Sequence, residues 1–262
     1  MRLENITWPA AEEYFRKNDV VLIALGSIEC HGRHMPLGTD TLIPAHLTRM
    51  REEKSDVLIA PTVPYGICQD LTDYPGSISI NPDVYYGFLN EIMENLYQHG
   101  ARKFVMLNGH GGNVSVIQRL GMEYEKKGCL TAILNWWLVA GELNPKWRGG
   151  HGGAEETAAI LGINPELVDK SEIGGELVLY DLTEKMKATG YQVCNYKGIS
   201  IVIPRSIREI TDSGWIGPDH PENAAEEWGK EMLETTTDYI VDFIEEFKKV
   251  HWRKEKEDDK NR

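Results

Sequence analysis

The first 165 positions alternate between two apolar rhythms. Short β-branched or aliphatic runs of strand length fall at 20–25, 57–60, 103–107 and 129–134, and between them apolar residues recur at helical spacing. Thr7-Trp8-Pro9 opens a helix over 10–17, and a second helix is predicted over 41–53 with Leu42, Ala45, Leu47 and Met50 on one face. Asn81-Pro82-Asp83 caps a third, which presents Tyr86, Leu89, Ile92, Met93 and Leu96 and stops near His99 at Gly100. Further helices are expected over 114–127, from Ala154 to about Leu161 with Gly162 and Pro165 as its close, and from Pro221 to about Val250. This succession implies an α/β fold with a mostly parallel sheet flanked by helices on both faces. The loop 61–77 is long, and 172–220 mixes glycine, proline and short β-like runs in no readable order. No repeat or linker divides the chain, so 1–250 reads as one domain and the charged stretch 251–262 as a solvated tail.

All strand-to-helix loops of a parallel sheet lie on one edge, where ligands bind. Three such loops here carry histidine or carboxylate beside glycine. The first follows the run 20–25, where Glu29 and His31 point to one side of an extended segment while Gly32, Pro36 and Gly38 let Asp40 fold back toward them. The second is Asn108-Gly-His-Gly-Gly-Asn113 with His110, and the third places His151 ahead of Glu155 and Glu156. Imidazole and carboxylate without thiolate suit zinc, manganese or iron in a hydrolytic site rather than a closed structural zinc site. His46 belongs to the second helix, and His34 reads as a packing or supporting residue. The glycines of 108–113 lack both the lysine of a P-loop and the G-x-G-x-x-G spacing, so a nucleotide site is not expected.

Composition narrows the picture. Basic residues number 28 against 41 acidic ones, and a formal charge of -13 disfavours nucleic acid and anionic membranes as partners. Cys30, Cys68, Cys129 and Cys194 are widely spaced and read as reduced thiols. With neither a secretory h-region nor a long apolar span, the expected location is the cytoplasm. Tyr65 and Cys68 in the long loop, and Trp136 and Trp137 after the run 129–134, are candidate walls of a substrate pocket.

The segments G-S-I-E-C-H-G-R-H-M-P-L-G-T-D at 26–40, N-G-H-G-G-N at 108–113 and H-G-G-A-E-E-T at 151–157 resemble, in order and spacing, the signatures of the creatininase (creatinine amidohydrolase) family over about residues 5–170. The resemblance implies a three-layer α/β/α fold, a binuclear zinc or manganese centre, hence two divalent ions per chain (Zn, Mn or, from the donor chemistry above, Fe), and a homo-oligomer, often a hexamer. It places Glu29, His31, Asp40 and His110 on metal-ligand positions, with Asp40 bridging. The chain departs from the pattern at Cys30, where the family commonly has Gln, at Arg33, where it has Pro, and at Gly112, where creatininase itself carries a carboxylate. Glu156 is the candidate replacement for that last ligand. His151 or Glu155 would then move the proton to the leaving group. The implied reactions are hydrolysis of a small cyclic or related amide, or alternatively hydrolytic opening of a cyclic ketone as in inositol catabolism. A non-catalytic metal-binding protein would have little use for five ligands in such loops.

Overall fold

The fold is built on a four-stranded parallel sheet in the order β2-β1-β3-β4. In this computed structural model, which describes residues 1–51 and 54–252, its strands are β1 (Val20–Leu25), β2 (Leu58–Ile59), β3 (Lys103–Asn108) and β4 (Leu130–Asn135). Both faces of β1 are buried, and its side chains part alternately. Val20 and Leu22 join one apolar cluster with Val105 and Leu107, while Val21, Ile23 and Leu25 join another with Phe104 and Met106. The first cluster is completed by α2 (Thr39–Arg51), α5 (Trp136–Leu143), α6 (Ala154–Ile163) and α7 (Glu226–Lys248). The second is completed by α1 (Trp8–Lys17), α3 (Pro82–His99) and α4 (Val114–Lys126). The result is the expected three-layer α/β/α arrangement.

Several boundaries differ from the sequence pattern for identifiable reasons. Gly162, taken as a helix stop, lies inside α6, because α6 and α7 approach so closely there that a Cβ on Gly162 would stand 2.8 Å from the Gly229 carbonyl carbon. The helix ends at Asn164 and Pro165, the second of the two expected stops, with the Asn164 side chain accepting from the Glu166 N–H. The dipeptide Trp136-Trp137 opens α5 rather than closing a strand; this eight-residue segment, WWLVAGEL, is too short and too uniformly apolar to show a helical stripe. Residues 52 and 53 of the helix expected over 41–53, and 253–262 of the tail, lie outside the described residues. The unread stretch contains a separate antiparallel sheet of β5 (Met186–Gly190), β6 (Val193–Tyr196) and β7 (Ile199–Val202). Among the described residues no helix is long and apolar enough to cross a membrane.

The α6–α7 contact gives a paired test. A Cβ on Gly229 would stand 1.8 Å from the Ala158 carbonyl oxygen, whereas one on Gly87, in α3, would meet nothing within 4 Å. Gly229→Ala is expected to destabilise the fold by about 1–3 kcal/mol through overpacking, and Gly87→Ala to stabilise it by about 0.5–1 kcal/mol through helix propensity. Urea denaturation of the two variants reads both signs.

Candidate metal centre

The site forms where β1 and β3 end and where α6 begins. Beyond Leu25 the chain stays extended through Glu29 and His31: the Glu29 N–H donates to the Leu37 carbonyl, and Ser27 Oγ donates to Glu29 Oε2 at 2.6 Å. Asp40 stands in the first turn of α2. The loop after β3 is pressed against that turn, since a Cβ on Gly109 would lie 1.9 Å from the Asp40 carbonyl oxygen; only glycine permits the approach. Two asparagines hold this loop in shape. Asn108 Nδ2 donates to the carbonyl of His110 and to Asn135 Oδ1, and Asn113 ties the loop to the carbonyl of Gly26 and the N–H of Ile67. The third loop closes over His31 at Gly152, where a φ of +66° and the His31 carbonyl carbon, 3.0 Å from where a Cβ would stand, exclude a side chain.

Five of the side chains singled out in the sequence converge here in two sets sharing one carboxylate. Asp40 Oδ1 lies 2.9 Å from His31 Nε2, which is 3.5 Å from Glu156 Oε2. Asp40 Oδ2 lies 2.9 Å from His110 Nδ1, which is 3.1 Å from Glu29 Oε1. Two donor atoms about 2.1 Å from one divalent ion stand about 3.0 Å apart at a right angle and about 3.4 Å apart at the tetrahedral angle, so these separations fit the edges of coordination shells. Glu29 Oε1 and His31 Nε2 are buried without a hydrogen-bond partner, which is the state of a donor aimed at a cation. The outer nitrogens are occupied: His31 Nδ1 is 3.1 Å from the Glu29 carbonyl and His110 Nε2 is 2.7 Å from the Ile67 carbonyl, so each ring turns its inner nitrogen to the carboxylates, where a cation would take the place of the inner proton. The Gly152 N–H orients Glu156 by donating to Oε2 at 2.7 Å. This donor set suits a divalent metal ion.

His151 and Glu155 stand beside the sets. The His151 ring lies 4.5 Å from that of His31, and its Nδ1 is 3.8 Å from Glu29 Oε1, so Glu29, His31 and His151 form a third potential donor group. Burial and the neighbouring His31 lower the His151 pKa to about 3, leaving a neutral imidazole whose buried Nε2 has no partner. Burial and then Glu156 raise the Glu155 carboxyl well above the ordinary range, and burial brings Glu156 to about 7. At Asp40 burial pushes upward, but His31 and His110 outweigh it and hold the group below the usual carboxylate range. The reverse holds at His31, where burial pulls down and Asp40 and Glu156 drive the pKa up to about 10.

A cavity of about 340 Å³ opens onto these residues and is lined by Trp137, Tyr191 and Asp70 as well as by His110, His151 and Glu155. Of the four expected pocket walls, only Trp137 is there. Trp136 is fully buried and belongs to the core packed between the sheet and α7. Cys68 is buried in a small apolar cluster with Leu71 and Ile207, and its thiol faces the Ile28 carbonyl. Tyr65 is 43% exposed and does not line the cavity. Tyr191 and Asp70 were missed because nothing in a turn of 172–220, or in an aspartate of a long loop, marks a cavity until the small sheet is seen to fold over it.

A three-layer α/β/α architecture with a donor set fit for a divalent metal at its sheet edge is thereby defined. The chain belongs to the creatininase family: the family model described as creatinine amidohydrolase matches residues 4–244. It is 27% identical to the creatinine amidohydrolase of Pseudomonas putida, over 64% of this chain and 74% of that one. It is 30% identical to the mycofactocin precursor peptide peptidase of Mycobacterium ulcerans (strain Agy99), over 74% of each. The solved structure named "Creatininase Mn" superposes with a TM-score of 0.73 at 26% identity, covering 95% of this chain and 99% of that one. The protein is accordingly an enzyme, a hydrolase of the creatininase type.

His34 supports the site from behind and gives a pH test. Its Nε2 lies 2.9 Å from Thr157 Oγ1, whose own proton goes to the Gly153 carbonyl. Burial, then His31 and His220, lower its pKa from the ordinary 6.5 to about 4. A folded-state value below the unfolded one means that the neutral ring's contribution is complete above 6.5 and is lost as pH falls toward 4. Between these limits the wild type should lose about 1.4 kcal/mol per pH unit more than His34→Gln. Urea unfolding from pH 7 to 4.5 measures the slopes, and parallel slopes would contradict it.

Proposed function

We propose that this protein is a metal-dependent amidohydrolase with two divalent ions per chain, acting on the carbonyl of a small cyclic or related amide. The observation that carries the reading is Asp40, whose two carboxylate oxygens each stand 2.9 Å from a different inward-facing histidine nitrogen. Glu29, Asp40 and His110 would hold one ion, and His31, Asp40 and Glu156 the other, with zinc, manganese or iron as fitting metals. A pair of divalent ions so held supplies Lewis acidity, lowering the pKa of water toward neutrality and polarising the carbonyl under attack. The remaining steps fall to side chains. Glu155, protonated and buried with Oε1 free, can give a proton to the leaving nitrogen, and His151, whose lowered pKa keeps the ring neutral, would pass a proton on through its partnerless Nε2 without retaining it. Trp137 and Tyr191 wall the space in which a small substrate would sit.

We take 1–250 as one catalytic domain, and we expect a homo-oligomer, most simply a hexamer. The exposed apolar side chains of Ile199 and Val202 on β7 are surface that an interface would cover. Sedimentation at micromolar concentration should give a mass well above 29.7 kDa, and a monomer would refute the assembly.

Metal-loaded protein should contain close to two ions per chain by elemental analysis and should hydrolyse at least one member of a panel of lactams, formamides and ring ketones. Asp40→Ala and His110→Ala should lose metal and turnover together. His151→Ala and Glu155→Gln should retain metal and lose about 10²- to 10⁴-fold in rate. A His151→Ala protein short of one ion would instead make His151 a ligand and leave proton transfer to Glu155.

A further inference from the structure

The cavity above the donor atoms has a chemical character beyond metal binding. Its floor is the glycine backbone of the 108–113 and 149–153 loops, and its walls are the rings of Trp137 and Tyr191. No lysine or arginine lines it, so it offers no side-chain cation to a phosphate or carboxylate. Two carboxyl side chains there belong to none of the metal-donor groups found among the described residues: Glu155, assigned above to proton transfer, and Asp70, in the short turn Gln69–Leu71. Tyr191 Oη donates to Asp70 Oδ2 at 2.7 Å, and Gln192 Nε2 donates to the same oxygen at 3.0 Å. Among the described residues Oδ1 takes no hydrogen bond, and no lysine or arginine pairs with Asp70. Gln192 also donates to the Arg205 carbonyl, and the Tyr191 ring packs edge-on against His151 at 5.4 Å. The carboxylate is therefore oriented by two donors from the turn between β5 and β6 and fixed relative to His151. This arrangement spends two hydrogen bonds on one oxygen and leaves the other for something that enters the cavity.

We propose that Asp70 is a specificity-determining residue, whose free oxygen receives a cationic or N–H-rich group of the substrate while Tyr191 and Gln192 hold its other oxygen. The inference rests on the hydrolytic reading of the same site and gives it a substrate class: a small planar amide bearing an amino, amidino or ammonium group, with anionic substrates excluded. Trp137 and Tyr191 suit such a molecule, because aromatic faces attract both planar groups and cations. Asp40 and Glu156 are committed to the metal-donor groups and Glu155 to proton transfer, so Asp70 is the one further carboxylate that lines the cavity, and it disfavours an anionic group beside it in a site screened from water.

Binding tests this separately from catalysis. Three hydroxamic acids of similar size present one metal-binding head and different tails: β-alanine hydroxamate is cationic, propionohydroxamate neutral and succinic monohydroxamate anionic. Calorimetric titration of each into zinc-loaded protein should give the cationic compound the lowest Kd, about tenfold or more below the anionic one. Asp70→Asn keeps an acceptor for Tyr191; it should leave zinc content and thermal midpoint unchanged while shrinking the difference to about twofold. Equal binding of the three by the wild type, an unchanged preference in Asp70→Asn, or no binding of any would each overturn the proposal. A preserved charge preference in a protein that hydrolyses none of the lactams, formamides or ring ketones would instead overturn the hydrolytic reading while supporting the role of Asp70.

Discussion

Four carboxyl groups, those of Glu29, Asp40, Glu155 and Glu156, are buried within one small volume at the sheet edge, and everything around them answers the cost of putting them there. Removing an ionised carboxylate from water costs several kcal/mol even after relaxation, and like charges at short range add to it. The nearby ion-pair partners of Glu29, Asp40 and Glu156 are His31, His110 and His151 rather than lysine or arginine. An arginine would neutralise the cluster permanently. A histidine with its outer nitrogen tied to a backbone carbonyl instead lets a cation take the place of its inner proton, so the cluster attracts a divalent cation rather than annulling itself.

The fold meets this demand through backbone approach more than through side-chain packing. Parallel strands β1 and β3 run side by side in register to Leu25 and Asn108, so the loops that leave them start as neighbours. Gly109 and Gly152 then let main chain touch main chain, which brings ligands from separate loops to within about a coordination-shell edge of one another. Asn108 and Asn113 satisfy carbonyls and N–H groups that such tight loops would otherwise bury unpaired. Rigidity comes from these bonds and from apolar clusters on both sheet faces, leaving the donor atoms to be set by loops rather than by a moving element.

Much of this was legible in the sequence, for a physical reason. A parallel α/β pattern predicts on which edge the strand-to-helix loops meet, so three loops rich in glycine, histidine and carboxylate could be placed together before any coordinate was known. The side chains walling the cavity were harder. Trp136 and Trp137 are adjacent and chemically alike, yet the start of α5 turns one into the core and the other toward the cavity. Deciding between them requires knowing that a helix begins there, and its short sequence, apolar but for Glu142, carries no periodic stripe. Tyr191 and Asp70 are 121 positions apart and meet only because the small antiparallel sheet folds back on the main domain. No local rhythm encodes that contact.

Gly112 shows how tightly ligand identity is bound to loop geometry. The Ile67 carbonyl accepts the outer N–H of His110 and thereby fixes which ring nitrogen faces inward. To do so it comes so close to residue 112 that a Cβ there would lie 1.9 Å from its oxygen and 2.6 Å from His110 Nε2. A carboxylate side chain at 112, the arrangement of creatininase itself, is therefore incompatible with the way this chain orients His110. The third donor atom grouped with those of His31 and Asp40 comes from another part of the chain. Glu156 reaches it from the first turn of α6, its oxygen steadied by the Gly152 N–H. Restoring a carboxylate at 112 would have to displace the 61–77 loop that carries Ile67, and with it Asp70. Which carboxylates can join the donor group and which side chains wall the cavity are thus tied to one backbone contact.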